Sequence, residues 1–319
     1  YTGAGFSSSA PLGQLDSRGW ASTGMSDGTL DFGGTRNTAG TDYARGAVSF
    51  SPNGGGFYAY TGAPASASNP LFYIQPTASD FAPGTLTLRI WNVSNKTINA
   101  LEISYALFVN NDRNFSSSFN FSYSSDNNSY TSVPALDYTS PLNSDINGLV
   151  SVGTKSTVIT SLNLSNGDYF YIRWSSDKVG TASLGEYDEF GLDDIKISVP
   201  AILSDGSGYS PPAGVPNTTN NPIGRFQLTA GTTGVQLTAL TVTLTGSRTD
   251  VTAVKLWSSA DNTFGGDTEL KSATDGSSVV FSGLSSSVST SGTYYFITVD
   301  LGPTANGDVT ATIANNAAL

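Results

Sequence analysis

Chemistry in this 319-residue chain must come from carboxylates, hydroxyls or lysine, because it contains no histidine and no cysteine. That removes the commonest general base, the thiolate nucleophile and the usual zinc ligands together. The group most worth weighing is an acidic cluster in the stretch EYDEFGLDD, formed by Glu186, Asp188, Glu189, Asp193 and Asp194. Two carboxylates at the right separation can hydrolyse a glycosidic bond, and several oxygens together can cage calcium. The spacing is not that of an EF-hand loop. The same residues also read as a solvated turn entering a strand, on which the neighbours Asp193 and Asp194 face opposite sides. Acids of this kind are common on loops of β-proteins that catalyse nothing, so the chain is not expected to be an enzyme.

A second acidic stretch, SSADNTFGGDTEL, carries Asp261, Asp267 and Glu269. It lacks the alternating carboxylates of a calcium turn and predicts a hairpin loop. Aromatic side chains offer a different chemistry, since Trp and Tyr faces can stack on sugar rings beside a few polar groups. Trp20, Trp91, Trp174, Tyr58 and Tyr60 are the candidates. Trp91 and Trp174 each sit in an alternating stretch, which predicts core rather than platform, and no single loop concentrates both an aromatic and its polar partners.

The elements that must position these groups are strands. Leu86, Leu88 and Ile90 alternate with Thr85, Thr87 and Arg89; Leu101, Ile103, Tyr105, Leu107 and Val109 repeat the pattern over a longer run, and Phe119, Phe121 and Tyr123 repeat it with aromatics. Period-2 alternation broken by Gly, Asn, Asp and Pro turns, with no helical period between, predicts antiparallel β-sandwiches. Residues 1–199 form the first expected domain. Residues 200–222 carry Pro211, Pro212, Pro216 and Pro222 and read as a linker or an edge-lying extended segment. Alternation then resumes in six or seven short stretches over 223–319, the size of an immunoglobulin-like sandwich.

Fourteen Lys and Arg stand against twenty-five Asp and Glu, a formal charge of −11. No basic run exists, so a nucleic-acid partner is not expected. No stretch is long and apolar enough for membrane insertion as a helix. The Ser/Thr/Asn-rich, cysteine-free composition is that of a bacterial extracellular or cell-surface protein. A chain that opens on Tyr1 and closes on ANNAAL is expected to be part of a longer product.

The first domain resembles a jelly-roll family common in secreted and cell-surface proteins of Bacteroidota and related bacteria. The resemblance rests on GWASTGMSDGTLDFGG with ARGAVS and GGFYAY, on IQPTASDFAPGTLTLRIWN, on FNFSYSSDNNSYTSVPALDYTS, and on YFYIRWSSDKVG leading into DEFGLDDIKIS. The closing FGLDDIKI is similar to the last strand of many carbohydrate-binding and adhesion jelly rolls. That similarity implies a structural calcium near Asp194, with Asp193 beside it. The second domain looks like the repeated immunoglobulin-like domains of long bacterial surface proteins, most of all in AVKLWSSADNTFGGDTEL. Families of this build imply no enzymatic activity and no cofactor beyond that calcium. The expected function is a structural subunit of an extracellular fibre, with copies of itself as partners. The alternative is a module that binds polysaccharide for adhesion.

Overall fold

The computed structural model describes residues 1–180, 187–205 and 209–313. The chain is all-β, as the alternation predicts. The only helix among the described residues is the single turn Pro134–Leu136, so no helix there could cross a membrane.

One compact unit comprises Tyr1–Asn95, Glu102–Ile159 and Leu164–Ser198. Its longer strands are β1 (Trp20–Thr23), β2 (Gly56–Tyr60), β3 (Leu71–Gln75), β4 (Gly84–Trp91), β5 (Leu101–Asn110), β6 (Ser116–Ser124), β7 (Leu149–Ile159), β8 (Tyr169–Val179) and β9 (Glu189–Ser198). One sheet is ordered β6–β8–β4–β1 and the other β7–β5–β9–β3–β2. From β4 onward each strand crosses to the opposite sheet, a winding of the jelly-roll kind.

The core forms because alternate residues of both sheets meet. Leu101, Ile103, Tyr105, Leu107 and Val109 are buried on one face of β5, while Glu102, Ser104, Ala106 and Phe108 are only half-buried on the other. Phe170, Ile172 and Trp174 bury the matching face of β8. Across the sandwich the Tyr105 ring meets Trp174 edge-on at 5.4 Å, and Phe119 stacks on Phe190 at 4.7 Å. Each such pair adds about 0.5–1.5 kcal/mol beyond the area it buries.

The last strand of this unit is not regular. Asp193 pairs with Ala106 but Lys196 pairs with Ser104, so β9 holds one extra residue. Asp194 is the bulge, in the left-handed region at φ 49°, where Asp is tolerated better than most side chains.

The other unit comprises Lys96–Leu101, Thr160–Asn163 and Val199–Leu319. Its strands are β10 (Ala201–Asp205), β11 (Asn221–Ala230), β12 (Val235–Gly246), β13 (Val251–Ser259), β14 (Thr268–Ala273), β15 (Ser278–Val288), β16 (Thr293–Leu301) and β17 (Val309–Thr312). They form sheets β10–β11–β16–β13–β14 and β15–β12–β17, every pairing antiparallel. Phe226, Leu240, Leu256, Phe281, Tyr295 and Ile297 are among the side chains that fill the core between them. The strand count and size are immunoglobulin-like, but the terminal strands stand in each other's places. The first long strand, β11, takes the position beside β16, and the last, β17, lies beside β12.

Part of the segment expected to be a linker is therefore sheet. Residues 201–205 are the edge strand β10. Further along, Leu301 N–H donates to Thr218 O at 2.9 Å and Asn220 N–H to the Asp300 carboxylate at 2.8 Å, which ties the polyproline stretch to this unit.

Candidate functional site

Each acid of the 186–194 cluster has a definite place, except Glu186, which lies outside the described residues. Asp188 and Glu189 are both fully buried and, as neighbours at the start of β9, point to opposite faces. Asp188 accepts from the Ser140 hydroxyl and, at 3.1 Å, from the Arg113 N–H. Burial pushes its pKa up to about 6 against those hydrogen bonds.

Asp193 is half-buried and Asp194 exposed, with the Asp194 N–H donating to the Asp193 carboxylate at 2.8 Å. The Asp193 carboxylate thus serves the bulge. Among the described residues no group of three Asp or Glu is gathered as a metal-ligand set. Two carboxylates alone supply fewer oxygens than the six to eight that calcium takes.

A different pair of acids holds loops of the same unit together. The Asp42 carboxylate accepts from Arg45 at 2.7 Å, from Ser26 Oγ at 2.8 Å and from Asp27 N–H at 2.8 Å, while Asp80 accepts from Ser26 N–H at 2.8 Å. The chain closes tightly over them: a Cβ on Gly56, at φ +136°, would sit 2.4 Å from the Asp42 carbonyl oxygen. Burial raises the Asp42 pKa, whereas the hydrogen bonds from Ser26 and Thr77 outweigh burial at Asp80 and lower it.

Glu189 leads to the site. It lies on the face of the β7–β5–β9–β3–β2 sheet turned away from the main core. Phe50, Ser51, Tyr60, Tyr73, Asn110, Asp112, Asp145, Ile146, Gly148 and Leu149 line a cleft of about 290 Å³ over this face. Tyr73 on β3 stacks on Tyr60 of β2 at 5.1 Å. With Tyr58, Leu71 and Leu149 they make a small second core. Residues 143–148 bring in Ile146, and this loop is held by the Asn111 amide on Asn143 O at 2.7 Å and by Asp145 N–H on Asn111 O at 2.7 Å. Ile146 is fully exposed and Phe50 is 65 % exposed, so the rim is apolar.

The polar wall is organised by proton count. Asn110 Nδ2 donates to Glu189 Oε2 at 2.9 Å, and Ser51 Oγ lies in hydrogen-bond contact with both Glu189 Oε1 and, at 3.0 Å, Asp112 Oδ2. A serine hydroxyl has one proton and cannot serve two carboxylates. Burial pushes the Glu189 pKa up to about 8, ahead of the lowering by Ser51 and the raising by Asp112. At neutral pH Glu189 therefore keeps its proton and donates to Ser51 Oγ, and Ser51 donates to Asp112. Asp112 Oδ1 lies 3.0 Å from Arg113 Nε. The Tyr73 hydroxyl is buried beside Ser51 and Asn110, which interact with it, but makes no hydrogen bond of ordinary geometry among the described residues. Desolvation raises its pKa, so it remains a phenol with a donor to give.

No protein-family profile matches this chain, and no curated protein matches it. Among the solved structures that are similar in part are two enzymes. An allantoicase matches with 11% identity and a TM-score of 0.21, covering 76% of this chain and 77% of that one. A calcium-binding mutant of β-glucuronidase 2 from Bacteroides uniformis matches with 9% identity and a TM-score of 0.21, over 92% of this chain and 27% of that one. Likeness this slight carries no argument about function.

Of the aromatic candidates, Trp174 and Tyr58 are core, Trp20 stacks beside Trp174 at 6.3 Å, and Tyr60 lines the cleft. Trp91, which its alternating stretch places in the core, is instead 58% exposed at the end of β4. Asp261, Asp267 and Glu269 lie on the β13–β14 hairpin that their spacing predicts, where the Asp261 carboxylate accepts from Thr263 N–H at 2.8 Å.

The sequence reading misses Ser51, Tyr73, Asn110 and Asp112, since three separate stretches supply them. Its one available signal is the polar run NNDR, directly after the alternating β5.

Proposed function

We propose that this chain is a non-enzymatic binding module of the bacterial exterior whose first unit takes a carbohydrate in the cleft over Tyr60 and Tyr73. The observation that carries this reading is the meeting of aromatic and apolar walls with a polar wall in one concavity. Phe50, Tyr60 and Ile146 supply surface for the faces of a sugar ring. The Tyr73 hydroxyl and Asp112 offer a donor and an acceptor for its hydroxyls. Both oxygens of Glu189 are engaged and the group is fully buried, which supports a role as scaffold for Ser51 and Asn110 rather than as an acid catalyst. Glycan-array binding by the full chain tests the reading: Tyr60→Ala and Asp112→Asn should each abolish the signal, and binding that survives both changes would sink it.

A second reading, assembly into an extracellular fibre, is favoured by a specific feature of the other unit. Strand β15 is an eleven-residue edge with no charged residue, and Val280 on it is exposed. On the β17 side, β12 is paired only over Thr243–Gly246 among the described residues. Long uncharged edges invite strand addition, which natural proteins ordinarily block with charge or proline. Electron microscopy of the native material, with Val280→Lys as the disrupting change, tests it; a monodisperse monomer at high concentration would remove it.

A further inference from the structure

The outward face of the β6–β8–β4–β1 sheet carries a line of rings and guanidinium groups that neither the core nor the cleft uses. Because Phe170, Ile172 and Trp174 point inward, Tyr169, Tyr171 and Arg173 must point out. Strand register sets their neighbours: Tyr169 lies opposite Trp91, Tyr171 opposite Arg89, and Arg173 opposite Thr87. The Trp91 and Tyr169 rings are 6.0 Å apart. Trp91 Nε1 donates to Gly167 O at 3.1 Å, which fixes the indole and leaves its face in solvent.

The two arginines are pre-set. The Arg89 guanidinium is clamped between Phe32 and Tyr169, 4.4 Å from each ring, and its Nε and Nη2 donate to the Arg18 carbonyl. Arg173 lies 3.6 Å from the Tyr130 ring and donates through Nε to Thr87 Oγ1 at 3.0 Å. A guanidinium has five N–H groups, so most of those on Arg173 and several on Arg89 have no acceptor among the described residues. The nearby acids have other direct partners: Asp16 holds Arg18 at 2.7 Å and adds only a longer-range attraction to Arg89, and Asp168 accepts from Ser165 N–H at 2.8 Å.

We infer that this face binds a carboxylated polysaccharide, a polyuronate, laid along the strands. Same-face residues repeat about every 7 Å along a strand, so the rows from Trp91–Tyr169 to Thr87–Arg173 form a narrow track. Sugar faces stack on Trp91 and Tyr169, and ring carboxylates meet the free edges of Arg89 and Arg173, whose planar fork matches a carboxylate in two-point contact. Clamping by aromatic rings means that little side-chain freedom is lost on binding. The chain's overall negative charge does not forbid this, because charges beyond about 8 Å are largely screened at physiological salt. The site shares no residue with the cleft, and the two stand or fall separately.

Affinity electrophoresis of the full chain through gels containing polygalacturonate tests the inference. Wild type should be retarded, and the retardation should weaken from about 50 to about 300 mM salt. Trp91→Ala and Arg173→Gln should each weaken binding at least about tenfold with an unchanged melting midpoint. Carboxyl-reduced polygalacturonate should bind at least about tenfold more weakly than the acid form. Absence of wild-type retardation, wild-type binding by both variants, or equal binding of the reduced polymer would each overturn it. Should Arg173→Gln lower the melting midpoint, Trp91→Ala alone decides, since its ring lies outside the core.

Discussion

Glu189 lies directly opposite Asn110 across the β9–β5 pair, and the Asn110 amide donates to its Oε2 at 2.9 Å. A fully buried acid in that position is held neutral, so stability is linked to pH. Because the folded pKa of about 8 exceeds the unfolded value of about 4.3, the native state binds the extra proton between those limits. The contribution is fully present below the unfolded value and is lost as pH rises towards 8. Glu189→Gln copies the protonated form and lacks this term. Relative to the variant, wild type should lose about 1.4 kcal/mol per pH unit across that window. Urea midpoints at about pH 5, 7 and 9 check it; parallel profiles for the two proteins would disprove the protonated state.

The Tyr73 hydroxyl predicts a separation of stability from binding. Tyr73→Phe removes a buried hydroxyl that makes no hydrogen bond of ordinary geometry among the described residues. Stability should hold or rise by up to about 1 kcal/mol, while glycan binding in the cleft falls at least about tenfold. Normal binding by this variant would show that the hydroxyl does not reach the ligand.

Two tryptophans from similar alternating stretches should behave oppositely. Trp174 is fully buried between the sheets, and Trp174→Ala should cost about 3–5 kcal/mol. Trp91→Ala should stay within about 0.5 kcal/mol of wild type, as surface changes do. Thermal unfolding of the two variants reads both values, and a comparable loss in each would contradict the assigned faces.

The bulge gives a prediction about conformation and metal together. Asp194→Gly should be nearly neutral because glycine accepts a positive φ freely, whereas Asp194→Val should cost about 1–3 kcal/mol. Calcium or a chelator should leave the melting midpoint of wild type unmoved. A midpoint that rises with calcium, with the rise lost in Asp193→Ala, would instead show calcium bound at the pair.

How far the sequence could be read depended on how local the signal was. Alternation on β5 and β8 is a property of a few consecutive residues, so the all-β sandwich architecture was visible directly. Trp91 broke the same rule because alternation marks two faces without saying which one is covered, and at a strand end neither need be. Asp193 and Asp194 were conspicuous as a pair, yet a bulge is decided by the register against Ala106 and Ser104 on another strand. The cleft was hidden for a stronger reason: Ser51, Tyr73, Asn110 and Glu189 come from four elements and meet only through sheet order. The hairpin at 260–267, closed by its own turn residues, needed no such partner.

The extra residue in β9 also corrects a phase. Were Asp194 paired in the ladder like its neighbours instead of bulged, Lys196 would fall opposite Ile103 on the core side and Ile197 would turn to solvent. With the bulge, Lys196 pairs with Ser104 outside and Ile197 with Ile103 inside. The inside–outside code of the strand is thus interrupted and restarted within three residues. A single-codon deletion of Asp194 would leave Asp193 opposite Ala106 and Lys196 opposite Ser104 in one unbroken register, so the strand's two faces would survive loss of the bulge, whereas insertion of one further residue beside it would turn Lys196 towards the core.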